Sequence, residues 1–523
     1  MLFLWSAAAL PCARAQLPTT LKQTIAAPVV GVAISGSWMA VGAPYDDTGA
    51  TDSGSVYVYD LASTTPAIPV FALHNPAQDA GDFFGYAVAL SGSRLAVSAL
   101  TSDVHATEGG AVYVYDLASA TPTAPLLLTD PNPTAAGEYG RALAISGSRL
   151  IVGASYSGPV NEGVAYVYDL AGVSPATPVT TLTHVGGATG DQFGSAVAIS
   201  GLRAVVGAPF ADSGALNAGS AYAFDLGSVT PGMPTTIFVN PVPAADDQFG
   251  RAVAVSGMQV LVGAPSKKVG SIHPGAAYVY DLAGPSPTIP NLTLTPANPA
   301  DGDSFGTALA LASSTAVVGA PLRDAGVPDA GIAFVFNLAS GTPTTPVATL
   351  QHAPPAFGES FGWSMALDGF TLAIGVGDSS VIADHGAIYL FGPASNDTDG
   401  DGLLDLWEYA HFGTLAGHAA QDDADGDGTR ELLELAFNHD PLVPEAKAAP
   451  APVVEGGFLT LTIAKRAGAT YLGQSGNSPA DAAFSAATTT VLTDTATTLK
   501  FRDNVPVASG GARFLRVKVT AAP

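Results

Sequence analysis

The chain has 523 residues, a formal net charge of −25 and only 12% charged side chains, about half the share of a typical soluble domain. Such an acidic balance offers no general attraction to phosphate backbones, so no nucleic-acid partner is expected. Gly and Pro number 59 and 40, and apolar stretches are short and punctuated by turn residues, which predicts an all-β chain with no membrane span beyond the N-terminus.

Residues 1–15 read as a signal peptide, with Ala13-Arg14-Ala15 as the cleavage motif before Gln16, although a positively charged start is missing. The alternative is an ordinary apolar strand. The single cysteine, Cys12, falls inside this segment, so the mature chain is expected to have no disulfide and no thiol chemistry. A secreted or cell-surface location follows.

From residue 16 to 392 one pattern repeats. Phe193-Gly194-Ser-Ala-Val-Ala-Ile-Ser-Gly-Leu-Arg-Ala-Val-Val-Gly-Ala-Pro209 is a clear copy, and related copies begin at Phe84, Tyr139, Phe249, Phe305 and Phe361. A degenerate copy runs from Val30-Gly31 to Gly42-Ala43-Pro44, making seven, spaced 54 to 56 residues apart. Each copy predicts four strands: the stretch after Phe-Gly, the one ending in Gly-Ala-Pro, one like 165–170 and one like 179–184. Tight Ser-Gly turns, as at Ser200-Gly201, join the first two. Four strands at this period predict a β-propeller of seven blades, whose faces are covered only by stacking on neighbours. Residues 20–26 match a fourth strand, and the seventh copy stops after its third strand at 387–391. The N-terminal strand is therefore expected to complete the last blade and close the ring.

The Phe-Gly and Gly-Ala-Pro elements at this spacing resemble the FG-GAP repeat family, known from integrin α-subunit propellers and bacterial surface proteins. The resemblance covers about residues 20 to 392. It implies calcium in an Asp-rich hairpin between the first two strands of a blade. Here that hairpin is Ser-Gly-Ser in several copies, so propeller calcium is not expected there.

Calcium chemistry is expected instead in 394–445, where thirteen acidic residues accompany one basic residue, Arg430. Asp397, Asp399, Asp401, Asp405 and Glu408 fall at positions 1, 3, 5, 9 and 12 of an EF-hand-like loop, with Gly402 at the sharp turn and the carbonyl of Leu403 at position 7. Asp423, Asp425, Asp427, Glu431 and Glu434, with the carbonyl of Thr429, repeat it. Alternate carboxylates converge as such a loop curls, and Ca²⁺ takes six to eight hard oxygens. Each loop leads into a short helical pattern, at 403–412 and 430–437. The segment resembles dockerin-like and thrombospondin type 3-like calcium modules, and a compact, calcium-dependent spacer is expected; the alternative is an acidic solvated linker.

Residues 446–455 read as an Ala/Pro linker, and 456–523 as a β-sandwich module with strands at 458–463, 489–492, 498–501 and 514–519.

Other polar residues recur or cluster. His74, His184 and His352 recur near the end of the fourth strand, which predicts a scaffold role. His105, His273 and His385 sit in loops between second and third strands, where a shared rim site is conceivable. The acid two residues before the aromatic (Asp82, Asp191, Asp247, Asp303 and Glu359) is expected to cap a turn. Asp46, Asp47 and Asp52 share one loop and are a cation candidate, and Lys267-Lys268 reads as a solvated loop tip. No nucleophile-elbow, zinc-protease or phosphate-loop motif occurs. A monomeric, non-enzymatic recognition or adhesion protein that binds an extracellular protein or glycan is expected. The alternatives are a polysaccharide hydrolase or lyase acting at the channel mouth, and a surface-layer component.

Overall fold

Short apolar runs separated by Gly and Pro leave the chain little but tight turns between extended segments. The computed structural model describes residues 17–63, 65–158, 160–184, 186–376, 386–392, 453–455, 458–464, 469–476, 489–495, 498–506 and 514–521. They fall into two compact units, within 14–393 and 394–523. Among the described residues every regular element is a strand, and no helix is long and apolar enough to cross a membrane. The signal-peptide segment, both calcium loops with their twelve ligand positions, and the two short helical patterns lie outside the described residues.

The first unit contains seven four-stranded antiparallel sheets. Sheet one is Gly31–Ser35, Trp38–Ala43, Ser55–Asp60 and Phe71–His74, paired in that order. Sheet two is Phe84–Ser91, Arg94–Ala99, Ala111–Asp116 and Leu126–Thr129. Sheet three is Tyr139–Ser146, Arg149–Ala154, Val164–Asp169 and Thr180–Leu182, and sheet four Ala196–Ser200, Arg203–Ala208, Ser220–Asp225 and Thr236–Val239. Sheet five is Ala252–Ser256, Gln259–Ala264, Ala276–Asp281 and Leu292–Leu294, and sheet six Leu309–Ala312, Thr315–Ala320, Ile332–Asn337 and Ala348–Leu350. Sheet seven holds Ser364–Asp368, Thr371–Val376 and Ala387–Gly392. Its fourth place is taken by Thr20–Ala26, which pairs antiparallel with Ala387–Gly392. Repeated sheets of this kind are consistent with propeller blades.

The second and third strands are buried along nearly their whole length, as in Arg203–Ala208 and Ser220–Asp225. Both faces of each sheet are covered, so these strands read as continuous apolar runs rather than as an alternation. The fourth strands are shorter and alternate between buried and exposed, as in Thr236–Val239. First strands touch first strands from each sheet to the next, and that of sheet seven touches that of sheet one. Together they line a space of about 230 Å³ with apolar side chains from 32–34, 89–90, 144–145, 197–199, 253–255, 309–311 and 365–367.

At one end of these strands the Ser-Gly turns are tied from sheet to sheet. The hydroxyls of Ser35, Ser91, Ser146 and Ser200 accept the backbone N–H of Gly92, Gly147, Gly201 and Gly257 of the following sheet at 2.9–3.1 Å. Ser256 accepts from Ser313 at 3.0 Å, and Asp368 of sheet seven accepts from Gly36 of sheet one at 2.5 Å. The link from sheet six is missing, because Ala312 stands where the serine would be. Ala312→Ser is expected to supply it toward Gly369 and to stabilise the unit by about 1 kcal/mol, the net value of one such bond. A thermal melt no higher than the parent's would count against that geometry.

The first copy of the repeat differs from its expected frame. Gly31 pairs with Gly42 in the register in which Ala196 pairs with Gly207 and Ala252 with Gly263. Gly31 therefore matches the alanine two residues after Phe-Gly, and Val30-Gly31 is not the degenerate pair. Pro28 and Val29 stand there instead, and a Cβ on Gly375 would lie 2.8 Å from Val29 Cγ1.

The second unit has a four-stranded sheet in the order Val453–Glu455, Phe458–Ala464, Thr498–Pro506, Thr489–Asp494, and a two-stranded sheet of Ala469–Gly476 with Phe514–Ala521. Tyr471 packs on the buried Leu461, Ile463, Leu499 and Phe501. Two strands escape the sequence pattern. Val453–Glu455 lies within the expected linker and is too short to alternate, while Ala469–Gly476 has glycines at Gly473 and Gly476 that break the apolar rhythm.

Candidate functional site

The chain passes into each new sheet through a buried aromatic. Phe84, Tyr139, Phe193, Phe249, Phe305 and Phe361 are all fully buried, contributing about 2–3 kcal/mol each. They pack edge-on or tilted against third-strand aromatics of their own sheet, such as Tyr113, Tyr222 and Tyr278, at ring-centroid distances of 5.5–5.6 Å. The preceding residue is left-handed, as at Gln192, Gln248 and Ser304, with φ of 53–55°.

A buried acid stands beside five of these aromatics, partnered by an amide, an imidazole or a guanidinium. Asp82 accepts the amide of Asn75 at 2.7 Å, Asp191 lies 2.9 Å from His184 Nε2, and Asp247 accepts from Asn240 at 2.6 Å. Glu359 Oε1 lies 2.5 Å from His352 Nδ1. Pro296 occupies the equivalent partner position for Asp303 and can donate nothing, so Arg323 from the loop of the same sheet takes over at 2.5 Å. In sheet three the roles swap. Gly137 stands in the acid's place, and Asp130, in the partner's place, accepts from Tyr166 at 2.9 Å and Ser157 at 3.3 Å. The expected turn-capping is present as well: Asp191, Asp247, Asp303 and Glu359 accept the N–H three residues earlier at 2.8–3.2 Å.

Two readings from the sequence change here. Lys267 is not a solvated loop tip. It is 7% exposed, and its ammonium lies 2.9 Å from Asp247 and donates to the Val242 carbonyl; only Lys268 is exposed. The position is seen only when a loop residue is placed against an acid 20 residues earlier. The three recurrent histidines are likewise not equivalent. His184 and His352 follow their strands and meet the acid, whereas His74 ends its strand one position earlier and bonds to Ser55 Oγ at 2.9 Å. Ser55 is fully buried, so this Ser–His pair offers no accessible nucleophile.

The remaining candidates do not converge. His105 is exposed, and His273 contacts Asp301 at 3.2 Å; His385 lies outside the described residues. Asp47 accepts the N–H of Asp52 at 2.9 Å, a loop closure repeated by Asp103 with Glu108 and Asp212 with Asn217. Asp46 accepts from Tyr57 at 2.6 Å and Thr48 at 2.7 Å. Burial opposes its ionisation, but these bonds outweigh it and hold the carboxyl below its ordinary value. Burial, then the Asp46 bond, pushes the Tyr57 hydroxyl up to about 12. Among the described residues no three His, Cys, Asp or Glu side chains gather as metal ligands.

Asp82 carries a testable sign. Burial pushes its carboxyl above the ordinary value, the Asn75 amide works against this, and Asp79 and Asp103 add to it. A carboxyl raised on folding is a net cost while ionised; the cost holds above the folded pKa and fades as pH falls through it toward 3.8. Asp82→Asn is expected to melt at or above the parent temperature at neutral pH, with the difference shrinking as the solution is acidified. A lower melting temperature at neutral pH would contradict this.

The glycines explain how the sheets meet. A Cβ on Gly42 would stand 1.9 Å from the carbonyl oxygen of Gly85, the glycine after the next sheet's aromatic. Gly153 faces Gly194 at 2.0 Å, Gly207 faces Gly250 at 2.0 Å and Gly263 faces Gly306 at 2.1 Å. A family model described as FG-GAP repeat matches residues 30–59, 75–115, 177–224, 238–280 and 292–336. The chain carries FG-GAP repeats. A search of curated proteins finds no match. FG-GAP repeats point to an integrin-like β-propeller, in keeping with the repeated four-stranded sheets. The motif's two halves are thus the two sides of one junction: the FG glycine of one repeat presents its carbonyl to the glycine of Gly-Ala-Pro in the repeat before. The stretches outside the matches include two repeats that depart from the motif. The one at Tyr139 has Gly-Ala-Ser and lacks the acid, and the one at Phe361 has Gly-Val-Gly.

Proposed function

We propose that this is a secreted or cell-surface protein that recognises an extracellular protein or glycan through a closed seven-bladed propeller, acting by binding rather than turnover. The observation that carries the reading is how each repeat divides its polar residues. The recurring acids and their varied partners are consumed in scaffold pairs, while the other polar residues that differ between repeats lie in loops and at the start of the first strands. A rigid frame displaying variable side chains is the arrangement of a recognition surface. FG-GAP repeats are typical of extracellular or surface proteins, which supports the location. Screening the full-length protein against glycans and cell-envelope components tests it; turnover of a polysaccharide without stable binding would overturn it.

Closure is supported by three features: the place of Thr20–Ala26 in sheet seven, the Asp368–Gly36 bond, and the space bordered by all seven sheets. Removing residues 17–26 should then abolish cooperative melting of this unit.

Calcium belongs to the same proposal, held by the loops at 397–408 and 423–434. Their carboxylate spacing supports it, with the metal drawing together side chains that otherwise repel. Calorimetric titration of the full-length protein should show binding that Asp397→Ala with Asp423→Ala removes; no binding heat in the parent would refute it.

A further inference from the structure

Arg141 and Arg251 occupy the same repeat position, directly after the FG glycine, in sheets three and five. They precede the lining of the central space, at 144–145 and 253–255, by only two or three residues, and a strand rises about 3.3 Å per residue. All first strands run the same way through the ring proposed above, so this position marks one mouth of the channel. Tyr86, Ser195, Thr307 and Trp363 hold it in sheets two, four, six and seven. Ser195, between the two arginines in ring order, is the smallest, and its hydroxyl turns back to the Gln192 carbonyl at 2.6 Å. A side chain this short, flanked in ring order by an arginine on either side, defines the recess.

The two guanidinium groups differ in what they touch. Arg141 Nη1 is 3.1 Å from Glu138, and its Cζ lies 5.4 Å from the centre of the Tyr86 ring. Arg251 is half-buried and has no carboxylate partner among the described residues. Burial and the charge of Arg141 hold its guanidinium below the usual range, against the opposing effect of Tyr86 and Tyr156. A half-buried cation set beside a second cation is unfavourable in the empty protein. In a chain of net charge −25, carboxylates are plentiful, yet none of the described ones neutralises this position.

We propose that the recess between Arg141 and Arg251 binds the carboxylate of an acidic saccharide, a uronate residue of a glycan. This rests on the recognition reading above and names its ligand class. Two planar guanidinium forks match the two oxygens of a carboxylate. The rings of Tyr86 and Tyr156, both close enough to act on Arg251, offer flat apolar faces to the C–H face of a pyranose, and the Ser195 and Thr307 hydroxyls, which donate to the Gln192 and Ser304 carbonyls, are left to accept from its hydroxyl groups.

The test is calorimetric titration of the full-length protein with a galacturonate tetrasaccharide, its methyl ester and tetraglutamate. The acid should bind at least about tenfold more tightly than either other ligand. Arg141→Gln and Arg251→Gln should each weaken it by about tenfold or more, while Arg203→Gln, beside the Ser200 turn at the opposite end of the first strand, should not. Arg251→Met should melt no lower than the parent, because it removes an uncompensated charge; this separates lost binding from lost fold. Equal binding of the ester, unchanged affinity in Arg251→Gln, or no binding of any of the three overturns the inference. Tighter binding of tetraglutamate assigns the recess to an acidic peptide and overturns the saccharide. Glycan binding that ignores both arginines would leave the recognition reading standing and this inference refuted.

Discussion

Gly207→Ala is expected to destabilise the first unit by about 3 kcal/mol or more, although it adds only one methyl group within a strand. The new Cβ would stand 2.0 Å from the carbonyl oxygen of Gly250. That atom belongs to the backbone of the next sheet and cannot rotate away, so two sheets must separate. Gly257→Ala is the control. Its Cβ would meet nothing within 4 Å, and with φ at +57° it carries only the left-handed penalty of about 1–2 kcal/mol. Sheet two shows the limit of what one junction accepts. Ser98 stands at the Gly207 position, its hydroxyl accepts the N–H of Ala87 at 2.9 Å, and a Cβ on Gly140 opposite would lie 2.7 Å from Ser98 Cβ. That junction is already spaced for a Cβ on this side, whereas at Gly207 the backbone carbonyl of Gly250 fills the place a Cβ would take. Comparable melting temperatures for Gly207→Ala and Gly257→Ala would show that the sheets do not meet through this contact.

This contact explains what was legible in the sequence. Strands and hairpin turns are local, and seven repeats built on Ala-Val-Ala-Ile-like runs, with a Ser-Gly turn in five and Gly-Ala-Pro in four, spell them repeatedly. The four-strand order of each sheet follows from that pattern. Polar pairing is not local in the same way. Asp247 meets Asn240 seven residues before it and Lys267 twenty residues after it, across a turn and two strands. Each residue looks ordinary alone, and Lys267 beside Lys268 reads as a solvated pair. The shifted first copy escaped for a related reason: Val30-Gly31 copies the letters of an aromatic–glycine pair, but only the pairing of Gly31 with Gly42 fixes the frame. The arginine recess depends on Ser195 being short between two longer neighbours, which is a relation among three repeats.

Lys267→Met should be the most damaging of the surface-loop substitutions, at about 3 kcal/mol. Asp247 is fully buried beneath it, and removing one partner of a buried ion pair typically costs 3–5 kcal/mol. The lower figure applies because Asp247 keeps three donors: Asn240 at 2.6 Å, the Ala244 N–H at 2.8 Å and the Lys268 N–H at 2.9 Å. Lys267→Met with Asp247→Asn should recover much of the loss, since no charge is then left buried. The neighbouring repeat offers a second rescue. Asp191 has Ala211 in the lysine's place and meets His184 at 2.9 Å, and that ring stacks on Phe193 at 5.0 Å. Phe249 and Tyr278 provide the same aromatic walls around Asp247. Lys267→Ala with Asn240→His would therefore transplant the sheet-four solution into sheet five, and should melt above Lys267→Ala alone. If it does not, the histidine and the lysine are not alternative answers to the same buried carboxylate.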